Sequence, residues 1–181
     1  MPAALWLAGV FYGFSTGLCG NVLGMDETYS DADLRRILTP PKRVACVGVS
    51  LNPARPSYFV ARYLALKGFE VLGVNPAYAG QEAFGGRIVS SLGEIEGRVN
   101  IVDIFRRSGQ AGNVVDEALA LPEPPATTWM QIGVINEAAA ARARAAGVEV
   151  IMNRCPKIEY QRLMGELRMA GFNTGIISSR L

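Results

Sequence analysis

The chain has 181 residues, 50% of them hydrophobic and 19% charged, with a net charge of +2 and no histidine. That length and apolar content support one globular core, and so small a net charge gives no field for bulk nucleic-acid binding. Without histidine there is no Ser-His-Asp triad, Cys-His pair, His-ligated metal or phosphohistidine, so acid–base chemistry is left to Asp, Glu, Lys, Tyr or Cys.

Residues 1–24 carry no charged side chain, and glycine recurs at Gly9, Gly13, Gly17, Gly20 and Gly24. Three readings stay open for this leader. A signal peptide would want a positive n-region, but the first basic residue is Arg35. A membrane anchor fits the length and the small-xxx-small spacing of Gly9, Gly13 and Gly17, yet it is diluted by Pro2 and Asn21 and has no close positive flank. A translation start at Met25 leaves an ordinary acidic, polar N-terminus. Residues 25–42 then form a helical lead-in, with a helix over 30–38 that Ser30 or Asp31 caps and Pro40-Pro41 stops.

From Arg43 short apolar runs alternate with amphipathic helical stretches. The first run covers 44–49, and a helix follows to Lys67, capped by Ser57 and ended by Gly68. The second run, 69–74, ends in Asn75-Pro76; a glycine-rich loop around Gly80, Gly85 and Gly86 follows, then a short helical turn at 91–95. The third run is 99–105 and leads to a helix over 111–121, closed by Pro122, Pro124 and Pro125. The fourth is 127–132, after which Asn136 opens an alanine-rich helix to Ala146. The fifth is 148–152, and a last helix spans 156–170, ended by Gly171 with a tail over 172–181. Five near-continuous apolar strands alternating with helices predict an α/β Rossmann-like domain over 43–171. It is a doubly wound, mainly parallel five-stranded sheet with helices on both faces.

In such sheets ligands bind beyond the carboxyl ends of the strands. After the first strand, Gly48 permits a tight turn, the following helix start points amide N–H groups at a phosphate, and Arg55 adds a charge-assisted hydrogen bond. This is not the dinucleotide fingerprint. G-x-G-x-x-G is missing, and Asn75-Pro76 stands where an acid would meet a ribose 2′-OH. After the third strand come Phe105, Arg106 and Arg107. Gln131 and Gly133 follow the fourth, where Gln131 is a polar group in an apolar run that needs a partner. After the fifth come Asn153, Arg154, Cys155 and Lys157, and a helix start beside two basic residues would favour the Cys155 thiolate. Asp103, inside the third strand, reads as structural. The expected ligand edge thus gathers Arg55, Arg106, Arg154 and Lys157 with no carboxylate cluster, a site that holds an anionic nucleotide and shows no catalytic group. Cys19, Cys46 and Cys155 are far apart, odd in number and without C-x-x-C spacing. They suit a reducing cytoplasm rather than a disulfide framework or a metal site.

The ordered set Val47-Gly48-Val49-Ser50, Arg55-Pro56-Ser57-Tyr58, Val74-Asn75-Pro76, Val102-Asp103-Ile104-Phe105-Arg106-Arg107, Trp129-Met130-Gln131-Ile132-Gly133-Val134 and Asn153-Arg154-Cys155-Pro156-Lys157-Ile158-Glu159 resembles the stand-alone CoA-binding domain proteins. Their domain is similar to the N-terminal CoA-binding domain of the succinyl-CoA synthetase alpha subunit. The resemblance implies a Rossmann-like fold that binds CoA or a related adenine nucleotide. Carried over by position, Gly48, Ser50, Arg55, Ser57 and Tyr58 would hold the phosphates and nearby ribose, and Asn75 and Pro76 the adenosine end. Phe105, Arg106, Gln131 and Gly133 would line the middle, with Asn153 and Cys155 on the far side. The family's last motif usually ends in His; here it is Tyr160. The synthetase's second domain, with its phosphorylated histidine, is absent from the chain.

The expectation is a CoA-binding protein without catalysis of its own, with a homo-oligomer or a ligase-type partner as the open partner classes. The alternatives are an NADP-binding redox protein, because the missing acid at Asn75-Pro76 speaks against NAD while Arg55 or Arg106 could accept a 2′-phosphate, and a CoA-dependent enzyme component acting with a partner. A further possibility is a mixed disulfide between Cys155 and CoA.

Overall fold

A computed structural model describes residues 29–166, so the apolar leader, Gly171 and the 172–181 tail lie outside the described residues. In chain order the elements are α1 (Asp31–Ile37), β1 (Arg43–Val47), α2 (Pro56–Leu66), β2 (Glu70–Val74), β3 (Glu82–Ala83), β4 (Gly86–Arg87), β5 (Ile101–Ile104), α3 (Ser108–Leu119), β6 (Thr127–Met130), α4 (Glu137–Ala145), β7 (Glu149–Ile151) and α5 (Pro156–Leu163). Five strands form one parallel sheet in the order β2-β1-β5-β6-β7. The fold is the α/β Rossmann-like one expected. The chain runs from β1 to β2 on one side and then crosses to β5 on the other, so strand order reverses between β1 and β5.

Side chains alternate across the sheet, and each face has its own helices. Ala45 and Val47 of β1 join Val102, Ile104 and Met130 against the small inner residues of α3 and α4. Val44 and Cys46 join Val71, Ile101, Trp129 and Ile151 against α1, α2 and α5. The strand cores are buried on both sides, which is why they read as continuous apolar runs.

Two helix starts carry side-chain caps, while α3 begins at Ser108, ahead of the expected 111. The Ser30 Oγ accepts from the Asp33 N–H at 3.1 Å, capping α1, and the Asn136 Oδ1 accepts from the Ala139 N–H at 3.0 Å, capping α4. Ser57 is not the cap of α2. The helix begins one residue earlier, at Pro56, with Arg55 in the cap position. Proline has no N–H to satisfy and a φ ready for a first turn, which moves the start upstream. The last helix, expected over 156–170, covers Pro156–Leu163 and is broken at Gly165, whose φ of +79° an L side chain rarely adopts; Glu166 is helical again, and 167–170 lie outside the described residues. The Gly80–Gly86 loop, in turn, contains a small antiparallel hairpin, β3 with β4.

Candidate functional site

A groove of about 1150 Å³ opens across the carboxyl ends of the strands, over the point where strand order reverses. Its first wall is the β1–α2 connection. Gly48 has a φ of +87°, and a Cβ there would stand 2.7 Å from the Phe105 carbonyl oxygen and 3.0 Å from the Arg106 Nε. Only glycine lets β1 turn this tightly against the end of β5. The loop is then tied down from within. The Ser50 N–H donates to the Ser57 Oγ at 3.0 Å, and the Asn52 Oδ1 accepts from the Ala54 N–H at 2.9 Å. The Asn75 Nδ2 donates to the Val49 carbonyl at 2.7 Å, while the Asn75 Oδ1 accepts from the Ala77 N–H at 3.1 Å. Asn75 therefore clamps the β1 and β2 loops together, a structural task in addition to its place on the groove wall.

The floor lies beyond β5 and β6. Gln131 is 8% exposed and Asp103 is fully buried. The Gln131 Nε2 donates to both carboxyl oxygens of Asp103, at 2.8 and 3.0 Å, which supplies the partner that an amide in an apolar run required. Burial pushes the Asp103 carboxyl up to about 8, against the Gln131 and Ile104 N–H groups that lower it. Asp103 is thus largely a neutral acid near pH 7. Next to it in register, burial pushes the Cys46 thiol up as well.

Ten of the thirteen expected site residues line this groove: Gly48, Ser50, Arg55, Ser57, Asn75, Phe105, Arg106, Gln131, Gly133 and Cys155. Three lie elsewhere. Tyr58 follows Ser57 on the helix and so points about 100° away. It lines a separate cleft against the β3–β4 hairpin and meets Phe84 edge-on at 5.4 Å. Pro76 opens a short 3-10 turn and is exposed. The Asn153 Oδ1 accepts from the Gly133 N–H at 2.8 Å, so Asn153 supports the groove from behind its lining.

Two expectations about the far side change. Arg154 does not line the groove; its guanidinium pairs with Glu159 at 3.2 Å and lies over the Tyr29 ring, drawn inward by a fully buried carboxylate. Cys155 does stand at the cap position of α5, but it is 7% exposed, and burial raises its thiol above the ordinary value. The N–H groups of Ile158 and Lys157 pull the other way without prevailing. Desolvation outweighs the helix terminus, so the thiolate is not favoured.

Lining residues absent from the sequence-based set include Phe59, Tyr78 and Ile158. They sit three or four residues after Arg55, Asn75 and Cys155, one helical turn on, a spacing that points to them from the sequence. Among the described residues the lining holds four cations, Arg55, Arg106, Arg107 and Lys157, and no Asp or Glu side chain. Tyr160, where the resembled family usually has His, packs edge-on against Tyr63 and Phe69 at 5.9 and 6.0 Å. It is a half-buried aromatic packed against the core, away from the groove lining.

The CoA binding domain family matches residues 42–161. The uncharacterized protein YneT of Bacillus subtilis (strain 168) is 40% identical over 131 residues, covering 72% of this chain and 94% of its own. A solved structure from Thermus thermophilus is 36% identical with a TM-score of 0.70, covering 75% of this chain and 99% of that one. The dinucleotide-forming acetyl-coenzyme A synthetase 1 of Ca. Korarchaeum cryptofilum, solved with phosphate and ADP, shares the fold. It does so at 22% identity and a TM-score of 0.56, over 67% of this chain and 27% of the synthetase chain.

Proposed function

The chain belongs to the CoA binding domain family, and on that premise we propose that it binds coenzyme A in the strand-end groove and holds it without converting it. The observation that carries the reading is the groove's lining, four cations and no carboxylate among the described residues, beside the N-terminus of α2 and the sharp Gly48 turn. A polyanion with three phosphate groups suits such a lining, because cationic side chains and helix N–H groups both favour negative charge. On this reading Arg55, Ser50 and Ser57 meet the pyrophosphate. Asn75 and Tyr78, past β2, border the adenosine, and the apolar Ile132, Val134 and Ile158 flank the aliphatic arm. Cys46 and Cys155 are free and buried, in keeping with work in the reducing cytoplasm. Among the described residues no helix is long and apolar enough to cross a membrane.

Calorimetric titration with CoA, dephospho-CoA, NAD and NADP tests the reading. CoA is expected to bind most tightly, and Gly48→Ala to weaken it, because the new Cβ displaces the Phe105 carbonyl and the Arg106 side chain. Equal binding of all four ligands, or binding of none, overturns the proposal; preference for NADP moves the assignment to a redox cofactor.

A further inference from the structure

The floor of the groove carries a polar pair whose purpose is not served by packing alone. The Gln131 amide spends both hydrogen bonds through Nε2 on buried Asp103. Its Oε1 accepts from no group among the described residues and is not sealed from solvent, so it opens onto the groove that Gln131 lines. A side chain more than nine-tenths buried, held by a fully buried acid and leaving one acceptor free, is poised for a donor that arrives with a ligand.

The position identifies the donor. β6 lies two strands from β1, which places Gln131 ~10 Å along the groove from the phosphate-facing loop. Ile132, Val134 and Ile158 surround that part of the groove, and the four cations suit the phosphates instead. The ligand portion past the pyrophosphate of CoA is an aliphatic arm interrupted by two amides. We infer that Gln131, oriented by Asp103, is the specificity-determining acceptor for an amide N–H of that arm, and that Asp103 is its positioning residue. This rests on the CoA reading above. It assigns Asp103 a role in ligand selection although Asp103 never touches the ligand: the carboxyl fixes which end of the amide faces outward. In neutral form the acid accepts from Nε2 through its carbonyl oxygen, the arrangement the distances show.

The test compares CoA with 3′-phospho-ADP, the same molecule without its arm, by calorimetry. Gln131→Met removes the acceptor but strands a buried carboxyl. The double variant Asp103→Val with Gln131→Met is therefore made alongside it, and both are checked for a native melting transition. In each folded variant CoA affinity is expected to fall about fivefold, the loss of one hydrogen bond, while 3′-phospho-ADP stays within about twofold. Asp103→Asn, whose side-chain oxygen still accepts from Gln131, is expected to keep wild-type CoA affinity. Unchanged CoA affinity in the double variant, or equal loss for both ligands, overturns this inference and leaves the CoA reading intact. Wild-type protein that binds neither ligand overturns both.

Discussion

Asp103, on the floor of the groove, and Glu159, in the seam between α5 and α1, are both withdrawn from solvent completely, but they have different company. Glu159 meets two guanidinium groups: Arg154 at 3.2 Å on one oxygen, and Arg162 at 2.8 Å on the other, with Arg162 bridging on to Asp31 at 2.6 Å. Asp103 has an amide and a backbone N–H in place of a cation. Desolvation then decides between the two forms, and the Asp103 carboxyl rises to about 8. In the seam arginines satisfy the carboxylate and in doing so lock α5 to the lead-in helix. The groove floor keeps a polar group with its charge largely removed, leaving a neutral, oriented acceptor beside a cationic lining.

The largest effect should come from breaking the seam. Glu159→Ala leaves two arginines facing each other across a buried gap, and urea denaturation should show a loss of about 3–5 kcal/mol. A loss under ~1 kcal/mol would erase the distinction between the two regions. The floor should respond to pH instead. With its pKa raised from 3.8 to about 8, folded Asp103 holds a proton that the unfolded chain has released. Its contribution is therefore complete below about pH 4, lost as pH rises towards about 8, and level above that, with a slope of about 1.4 kcal/mol per pH unit inside the window. Asp103→Asn has no such proton. The stability of wild type relative to this variant should fall between pH 6 and pH 7; a flat difference would mean that burial does not hold a proton on Asp103. The smallest effect should come from an exposed ion pair used as a reference. Arg142 and Asp116 meet at 2.8 Å but are 47% and 53% exposed, so Asp116→Asn should change stability by about 0.5 kcal/mol or less.

The residues of the floor also mark how far the sequence could be read. Gln131 stood out as an amide in an apolar run, so its need for a partner was legible. That the partner is Asp103 was not, because the pair is joined across β5 and β6 and 28 positions apart. The thiol of Cys155 shows the opposite error. Its neighbours in sequence, a helix start and basic residues, argued for a thiolate, but burial outweighs them. Arg154 was placed on the ligand edge by its position after a strand and was taken instead by Glu159, five residues on and fully buried. Tyr58 was carried to the site by the family motif and left it by the rotation of a helix.

What the sequence determined by itself is the order of elements, the parallel sheet and the strand ends at which a ligand would lie. Hydrophobic periodicity, proline and glycine act locally, and they leave their trace in adjacent residues. The tertiary structure alone decided which polar groups meet, which way each side chain faces and which charges persist. Those outcomes depend on desolvation and on partners brought together from distant strands, and no short stretch of chain contains either.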